Sequence, residues 1–334
     1  MPNIKVMHFG LGPIGAAIVK QVASRPGFKI VGAIDIDTAK VGRDLGDVVG
    51  LTKRLGAKVS ADAAKALKAA KPDVVILCTT SSIKEVMPQI EAILKAKIPI
   101  VSTTEELSYP GYTHIRQARL VHAMAKKAKV AVLGTGVNPG FAMDALPIAL
   151  TAVCERVDRI VVHRVQDARI RRLPFQQKIG AGLTTEQFQK KADDGSVRHV
   201  GLTESIAMIA DAMGWTLDRI TDEIQPKLAT VTISSEYLAV DPGYVAGIIQ
   251  DGVGYRKNEP VIKLHMEAYL GSPETYDSVD IEGSPNLSMK ISGGIHGDVA
   301  TASIVVNSIQ KVIQATPGLH TMRDLPLPSF FPGR

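Results

Sequence analysis

Apolar and polar positions follow two different rhythms along the chain, and the change falls near residue 140. Before it, short apolar runs (Ile4–Phe9, Phe28–Ile34, Val74–Cys78, Pro99–Val101, Val130–Leu133) alternate with stretches of helical period. Those stretches include Ala61–Ala70, Ile83–Ala96 and Ile115–Lys127. Unbroken apolar runs suit strands buried on both faces, and their alternation with helices predicts a parallel sheet with right-handed crossovers. After Gly140 the strand-like runs are Arg159–Val165, Leu228–Ser234, Ala246–Gln250, Val261–Leu270 and Leu287–Ile291, bounded by Gly, Pro and Asp. Helical stretches near Thr184–Ala192 and Thr203–Met213 interrupt them. This pattern predicts an α+β unit with a mixed, largely antiparallel sheet.

The first apolar run ends in G-L-G-P-I-G, with Gly10, Gly12, Pro13, Ile14 and Gly15, and a helical face follows. This is G-x-G-x-x-G between a strand and a helix, the setting in which the motif binds a dinucleotide. Gly10 makes the tight turn, Gly12 admits a pyrophosphate close to the backbone, and Gly15 lets helix and strand pack. The phosphates then lie on a helix N-terminus, where amide groups and the macrodipole favour negative charge. The second strand ends in Asp35, where an acid accepts the hydroxyls of an adenosine ribose. Asp37 adds negative charge that opposes a 2′-phosphate and favours NAD, whereas Lys40 and Arg43 are cations within reach of one. Both NAD and NADP therefore stay open.

The expected fold class is α/β. A Rossmann-type parallel-sheet dinucleotide-binding domain covers 1–140, and an α+β substrate domain covers 141–297. A helix over 298–316 and a Pro-rich tail close the chain, and both can pack back on the first domain.

The chain has 334 residues, 45% of them hydrophobic and 22% charged, enough to bury a core in each domain. Aromatics are only 4%, so aliphatic side chains must fill those cores. The net charge of +6 is spread among acids rather than gathered into a basic patch, which argues against nucleic acid. Cys78 and Cys154 make neither a disulfide framework nor a thiolate metal site. No signal peptide or membrane-spanning run is read, so the expected location is cytoplasmic, without a membrane partner.

Chemistry is expected at the carboxyl ends of the parallel strands. Thr79, Thr80, Ser81 and Thr103 bring hydroxyls to that edge, where a cofactor should lie. S-T-T-E-E-L-S-Y-P also carries carboxylates there, Glu105 and Glu106. Thr103-x-x-Glu106 fits a capping box, which leaves Glu105 as the expected proton-transfer group. In G-T-G-V-N-P-G, Asn138 either orients a nicotinamide amide or caps a turn. Phe141 and Met143 line a pocket or belong to the core. Arg169, with Arg171 and Arg172, either grips a substrate carboxylate or forms a surface cluster. His199 either faces the substrate or is structural. No H-E-x-x-H, Cys/His cluster or acidic loop suggests a metal.

Together G-L-G-P-I-G, I-D-I-D-x-x-K-V-G-R-D-L-G, S-T-T-E-E-L-S-Y-P, G-T-G-V-N-P-G-F and H-V-G-L-T-E-S resemble the 2,4-diaminopentanoate dehydrogenases and related NAD(P)-dependent amine dehydrogenases. R-V-Q-D-A-R-I-R-R-L-P-F-Q-Q-K-I-G and the closing helix extend the likeness over nearly the whole chain. The resemblance implies a fold similar to dihydrodipicolinate reductase. It also implies NAD or NADP as cofactor, an amine or carbonyl substrate with ammonia, and Glu105 as the essential glutamate. A homodimer built on the second domain, with the active site in an interdomain cleft, is implied as well. The paired histidines of dihydrodipicolinate reductase are absent, and E-E-L stands where sugar oxidoreductases of this kind carry E-K-P. Two alternatives remain: an imine or carbonyl reductase that does not use ammonia, and a non-catalytic NAD(P)-binding regulator.

Overall fold

The computed structural model describes residues 3–332. The chain forms two compact units, one running to Phe141 and resuming at Gly297, the other Ala142–His296.

In the first unit, strands β1 (Ile4–Phe9), β2 (Phe28–Ile34), β3 (Val59–Ser60), β4 (Val74–Leu77), β5 (Ile100–Ser102) and β6 (Ala131–Gly134) join a last strand, Gly318–His320. Among the described residues they make one sheet of seven strands in the order Gly318–His320, β6, β5, β4, β1, β2, β3. Every pairing is parallel. The order reverses between β1 and β4, and a ligand crevice opens at such a switch point, outside the carboxyl ends of the strands.

Helices α1 (Pro13–Ala23), α2 (Leu45–Val48), α3 (Ala63–Ala70), α4 (Ile83–Lys95) and α5 (Ile115–Ala128) connect the strands. Met7, Phe9, Val75 and Leu77 pack with Ile83, Val86, Ile90 and Val121 of α4 and α5. Side chains alternate across a strand, so Val6 and His8 turn to the other face. The helix Gly297–Gln314 belongs to this unit and lies beside α1. Gln21 Nε2 donates to Ser303 Oγ at 3.0 Å, and Arg25 Nη1 to Asn307 Oδ1 at 2.7 Å. The tail completes the contact, with Phe331 edge-on to Phe28 at 5.7 Å.

The second unit carries α6 (Ala145–Leu150), β7 (Arg156–Asp167), α7 (Leu173–Lys178), α8 (Thr185–Asp193), α9 (Leu202–Ala212) and β8 (Arg219–Leu228). Then come β9 (Ile233–Ser234), β10 (Ala239–Val240), β11 (Val245–Arg256), β12 (Glu259–Tyr269), β13 (Tyr276–Ser284) and β14 (Leu287–Ser292). Its main sheet has the order β14-β13-β7-β12-β11-β8. Within this sheet only β7 and β12 pair in parallel among the described residues, so it is mixed and mostly antiparallel. Helix α9 lies close on this sheet because β11 offers glycine beneath it. A Cβ at Gly252 or Gly254 would come within 2.8 Å of Ile206.

Two strands depart from the sequence expectation. The run Leu228–Ser234 is not a strand: the strand is β8, which stops at Leu228, and the chain bends before the two-residue β9. β8 reads R-I-T-D-E-I-Q-P-K-L and forms the sheet edge, where charges and Pro226 are tolerated. β13, Y-D-S-V-D-I-E-G-S, lies inside the sheet despite its acids. Asp277 stands directly opposite Arg164 of β7, and the two form a buried ion pair.

Candidate active site

The glycine loop shows which of its glycines the protein itself needs. Gly10 has φ +95°, and a Cβ there would lie 2.3 Å from the carbonyl oxygen of Cys78. A Cβ on Gly15 would lie 2.1 Å from the Gly10 carbonyl oxygen. Gly12 differs: its Cβ would meet nothing within 4 Å among the described residues. A group approaching the backbone at Gly12 would meet no side chain, so the loop fits a pyrophosphate. Gly12 is the N-cap of α1, with Pro13 first in the helix and Ile14 and Gly15 next. Helical geometry gives the amides of Ile14 and Gly15 no acceptor within the helix, so they present donors at its positive end.

Asp35 follows β2 and reaches back to this loop. Its Oδ2 accepts the N–H of Leu11 at 2.7 Å, and its Oδ1 accepts that of Asp37 at 2.9 Å. Lys40 Nζ lies 3.5 Å from Asp35 and 3.2 Å from Asp37. Arg43 is exposed and donates to the Ala39 carbonyl at 3.2 Å. The link from Asp35 to Leu11 is not visible in the motif, because it depends on how the two loops face each other.

The loop after β4 touches the glycine loop, since Thr79 Cγ2 would lie 2.9 Å from a Cβ on Gly10. Its hydroxyls are engaged locally. Thr79 Oγ1 donates to Gln89 at 2.5 Å, and Thr80 Oγ1 to Glu85 at 2.6 Å. The carbonyl of Ser81 accepts the N–H of Glu106 at 3.1 Å. Thr103 donates its N–H to Leu77 and borders Cys78. Burial pushes the Cys78 thiol up to about 12, which favours its protonated form.

Glu105, Glu106 and Leu107 form one 3₁₀ turn beyond β5. The expected capping box is not formed, because the N-cap of that turn is Thr104, without a side-chain cap bond. Glu106 instead caps another helix. Its Oε2 accepts the N–H of Ile83, the first residue of α4, at 2.8 Å, and lies 3.3 Å from His114 Nε2. Leu107 is fully buried, and Gly134 at the end of β6 makes room for it: a Cβ there would lie 2.4 Å from the Leu107 carbonyl oxygen. The turn is thus held from both sides, and Glu105 sits half-buried at the carboxyl edge of the sheet.

The loop after β6 is buried throughout. Thr135 N–H donates to Ser102 at 2.9 Å, and Val137 N–H to Thr301 Oγ1 of the C-terminal helix at 3.3 Å. Asn138 is 8% exposed. Thr135 Oγ1 is buried without a partner among the described residues, as suits a hydroxyl beside a ligand. Phe141, half-buried, ends the segment.

The structure therefore brings Gly10–Gly15, Asp35, Lys40, Thr79–Ser81, Thr103, Glu105 and Asn138 to the carboxyl edge of one sheet. Of the remaining candidates, Arg43 and Phe141 belong to the first unit, and Met143, Arg169 and His199 to the second. Met143 is fully buried. Arg169 is bound to Asp167, Nη2 to Oδ2 at 2.6 Å and Nε to Oδ2 at 2.7 Å. Arg171 donates to Gln166 at 2.8 Å, with its guanidinium 3.9 Å from the Phe175 ring centroid. His199 is held by its backbone: Gln250 accepts its N–H at 2.9 Å and donates to its carbonyl at 3.2 Å. Gln250 is a polar residue in an apolar strand, and that misfit was the one sequence signal for it. Among the described residues no group of three His, Cys, Asp or Glu is arranged to hold a metal, and no helix is long and apolar enough to cross a membrane.

A Rossmann-type parallel sheet that brings its glycine loop, Asp35 and Glu105 to one carboxyl edge is the arrangement of an NAD(P)-dependent oxidoreductase. The 2,4-diaminopentanoate dehydrogenase C-terminal domain matches residues 141–333, and the dihydrodipicolinate reductase N-terminus matches residues 4–133. The 2,4-diaminopentanoate dehydrogenase of Acetoanaerobium sticklandii is 35% identical, over 98% of this chain and 95% of its own. The amine dehydrogenase of Streptomyces virginiae is 24% identical, over 97% of this chain and 96% of its own. The solved amine dehydrogenase of Mycobacterium smegmatis superposes with a TM-score of 0.88 at 25% identity, covering 98% of both chains. The chain belongs to the 2,4-diaminopentanoate dehydrogenase family and is an NAD(P)-dependent amine dehydrogenase.

Proposed function

We propose that the protein interconverts a primary amine with a ketone or aldehyde plus ammonia, using Glu105 as its proton-transfer group. What carries the reading is the position of Glu105, on a braced turn at the sheet edge that also holds the glycine loop and Asp35. Gly12 and the first amides of α1 would hold the phosphates, Asp35 the ribose and Asn138 the carboxamide of the cofactor. When bound, the nicotinamide supplies or accepts the hydride. Ammonium predominates at neutral pH and is not a nucleophile, so the Glu105 carboxylate takes its proton and holds the neutral amine at the carbonyl. Glu105, now protonated, returns that proton to the hydroxyl of the carbinolamine, which leaves as water, and the carboxylate so restored stabilises the cationic iminium. Arg169 is bonded to Asp167 at the end of β7, and its part in this reading is to brace the loop that follows. The homodimer implied by the sequence resemblance is part of this proposal.

The test is NADH consumption on a panel of alkyl ketones, aldehydes and their carboxylated analogues, with and without ammonium. Oxidation that requires ammonium is the expected result. Oxidation independent of ammonium would favour a carbonyl or imine reductase, and binding of NADH without turnover would favour a regulator.

A further inference from the structure

The six-stranded sheet of the second unit has two unlike faces. Helix α9 packs on one of them, over Gly252 and Gly254. On the other, Val161 of β7 and Ile249 and Val253 of β11 are half-buried rather than buried. Six strands at their usual spacing give this face roughly 30 Å by 30 Å, about 900 Å². A stable pair of proteins covers about 800 Å² on each partner, so the face is large enough for one.

Two histidines stand at its centre. β7 and β12 are the middle strands, and in their parallel register His163 lies beside His265, with ring centroids 5.4 Å apart. His265 is held between carboxylates: Nδ1 lies 2.9 Å from Asp251 Oδ1 on β11, and Nε2 3.0 Å from Glu267 Oε1. Carboxylates only accept, so a ring that serves both carries a proton on each nitrogen. Lys263 Nζ, 3.3 Å from Asp251, adds a second positive charge. His163 Nδ1 instead meets Ser278 Oγ of β13 at 3.5 Å. Burial holds His163 below the usual imidazole range, and the charges of His265 and Lys263 act in the same direction, while Asp280 and Asp251 oppose them. Further out, Glu223 of β8 stands opposite Asp251, and Lys290 of β14 opposite Ser278. His163 is therefore uncharged at neutral pH, and covering the face would desolvate it further.

We infer that a second copy of this chain seats on this face, and that protonation of His163 drives the two copies apart in acid; this rests on the homodimer proposed above. A twofold pair brings the same patch together from both sides, so its centre loses the most water and each copy contributes one His163. Separated copies take up these protons more readily than the pair does. The pair is therefore fully stable above the range in which His163 of the free copies titrates, and loses stability as pH falls through it. The test is sedimentation of the full chain over a concentration series between about pH 8 and about pH 5.5, with circular dichroism checking the fold at each pH. The dissociation constant should rise at least about tenfold over that range, because two protons are linked to separation. In His163→Gln pairing should persist and the constant should stay nearly flat. Ile249→Glu adds a charge beside Glu267 on the same face and should weaken pairing at every pH. A constant that ignores pH, falls in acid, or still rises in His163→Gln would overturn the acid response while leaving the homodimer intact. Unchanged pairing in a folded Ile249→Glu would put the second copy on another surface and overturn the inference. A single copy at every pH and concentration would overturn the homodimer and the inference together.

Discussion

Glu106 accepts the backbone N–H of Ile83 at 2.8 Å, although the two residues belong to different strand-to-helix connections. Ser82, the N-cap of α4, makes no side-chain cap bond, and Glu106 supplies the missing acceptor. Its own N–H donates to the Ser81 carbonyl at 3.1 Å. Of the two adjacent glutamates, Glu106 therefore fastens the turn to the neighbouring loop, and Glu105 is the one to which the proposal assigns chemistry.

Glu106→Ala leaves the first amide of α4 without this acceptor, and should cost about 1–3 kcal/mol in denaturant unfolding. Glu106→Gln retains an oxygen for Ile83 and should cost less than Ala. Equal losses in the two variants would mean that charge, through His114, matters more than the cap.

The first unit was legible because each of its signals is local. Buried parallel strands are unbroken apolar runs, and the glycine triplet carries its own geometry. The capping box failed for a non-local reason: Glu106 found a better donor 23 residues back in the chain. β8 and β13 were hidden by charge. In β8 the acids and Pro226 face the demands of a sheet edge, and in β13 Asp277 is tolerated only because Arg164 meets it across the ladder. The clamp of Gln250 on His199 spans 51 residues and has no motif.

The three glycines of the loop should separate folding from cofactor binding. Gly12 has φ −68° and ψ −177°, which any residue adopts, and open space at its Cβ position. Gly12→Val should therefore fold with near-normal melting temperature and lose most NADH affinity. Gly10→Val and Gly15→Val drive a Cβ into backbone carbonyl oxygens at 2.3 and 2.1 Å and should fail to fold stably. Normal NADH binding by Gly12→Val would place the pyrophosphate elsewhere.

Arg164 and Asp277 are both buried, and they also hold the backbone of Ile295: Asp277 accepts its N–H at 2.6 Å and Arg164 donates to its carbonyl at 2.9 Å. Asp277→Ala strands the guanidinium in the interior and should destabilise the chain by about 3–5 kcal/mol. Replacing both with Arg164→Met and Asp277→Leu should cost less than Asp277→Ala alone, because no charge is then left unpaired. Denaturant unfolding of the three variants checks the order.

His8 is 1% exposed, with neither ring nitrogen finding a partner among the described residues, and burial lowers its pKa to about 3. Between that value and about 6.5 the unfolded chain binds a proton that the folded chain does not, so this contribution to stability is full above 6.5 and falls with pH. Going from pH 7 to pH 5 should cost about 2 kcal/mol through this residue. In His8→Leu that part of the acid sensitivity should vanish. An identical pH dependence of unfolding in the two proteins would show that His8 is protonated or exposed in the fold.

Glu105→Gln tests the chemistry. The substitution preserves size and hydrogen-bonding shape while removing both the base and the negative charge that complements an iminium. Ammonium-dependent NADH oxidation should fall by about a hundredfold to ten-thousandfold, the range for a general acid–base group. NADH affinity should barely change, because the phosphate and ribose contacts assigned above lie on Gly12 and Asp35. The loss should appear in kcat, and raising the pH to supply more free ammonia should restore part of it, since free ammonia replaces the lost base but not the lost charge. A rate loss unresponsive to free ammonia would shift the role of Glu105 to iminium stabilisation alone. Near-normal amination by Glu105→Gln together with its loss in Glu106→Gln would reverse the two roles.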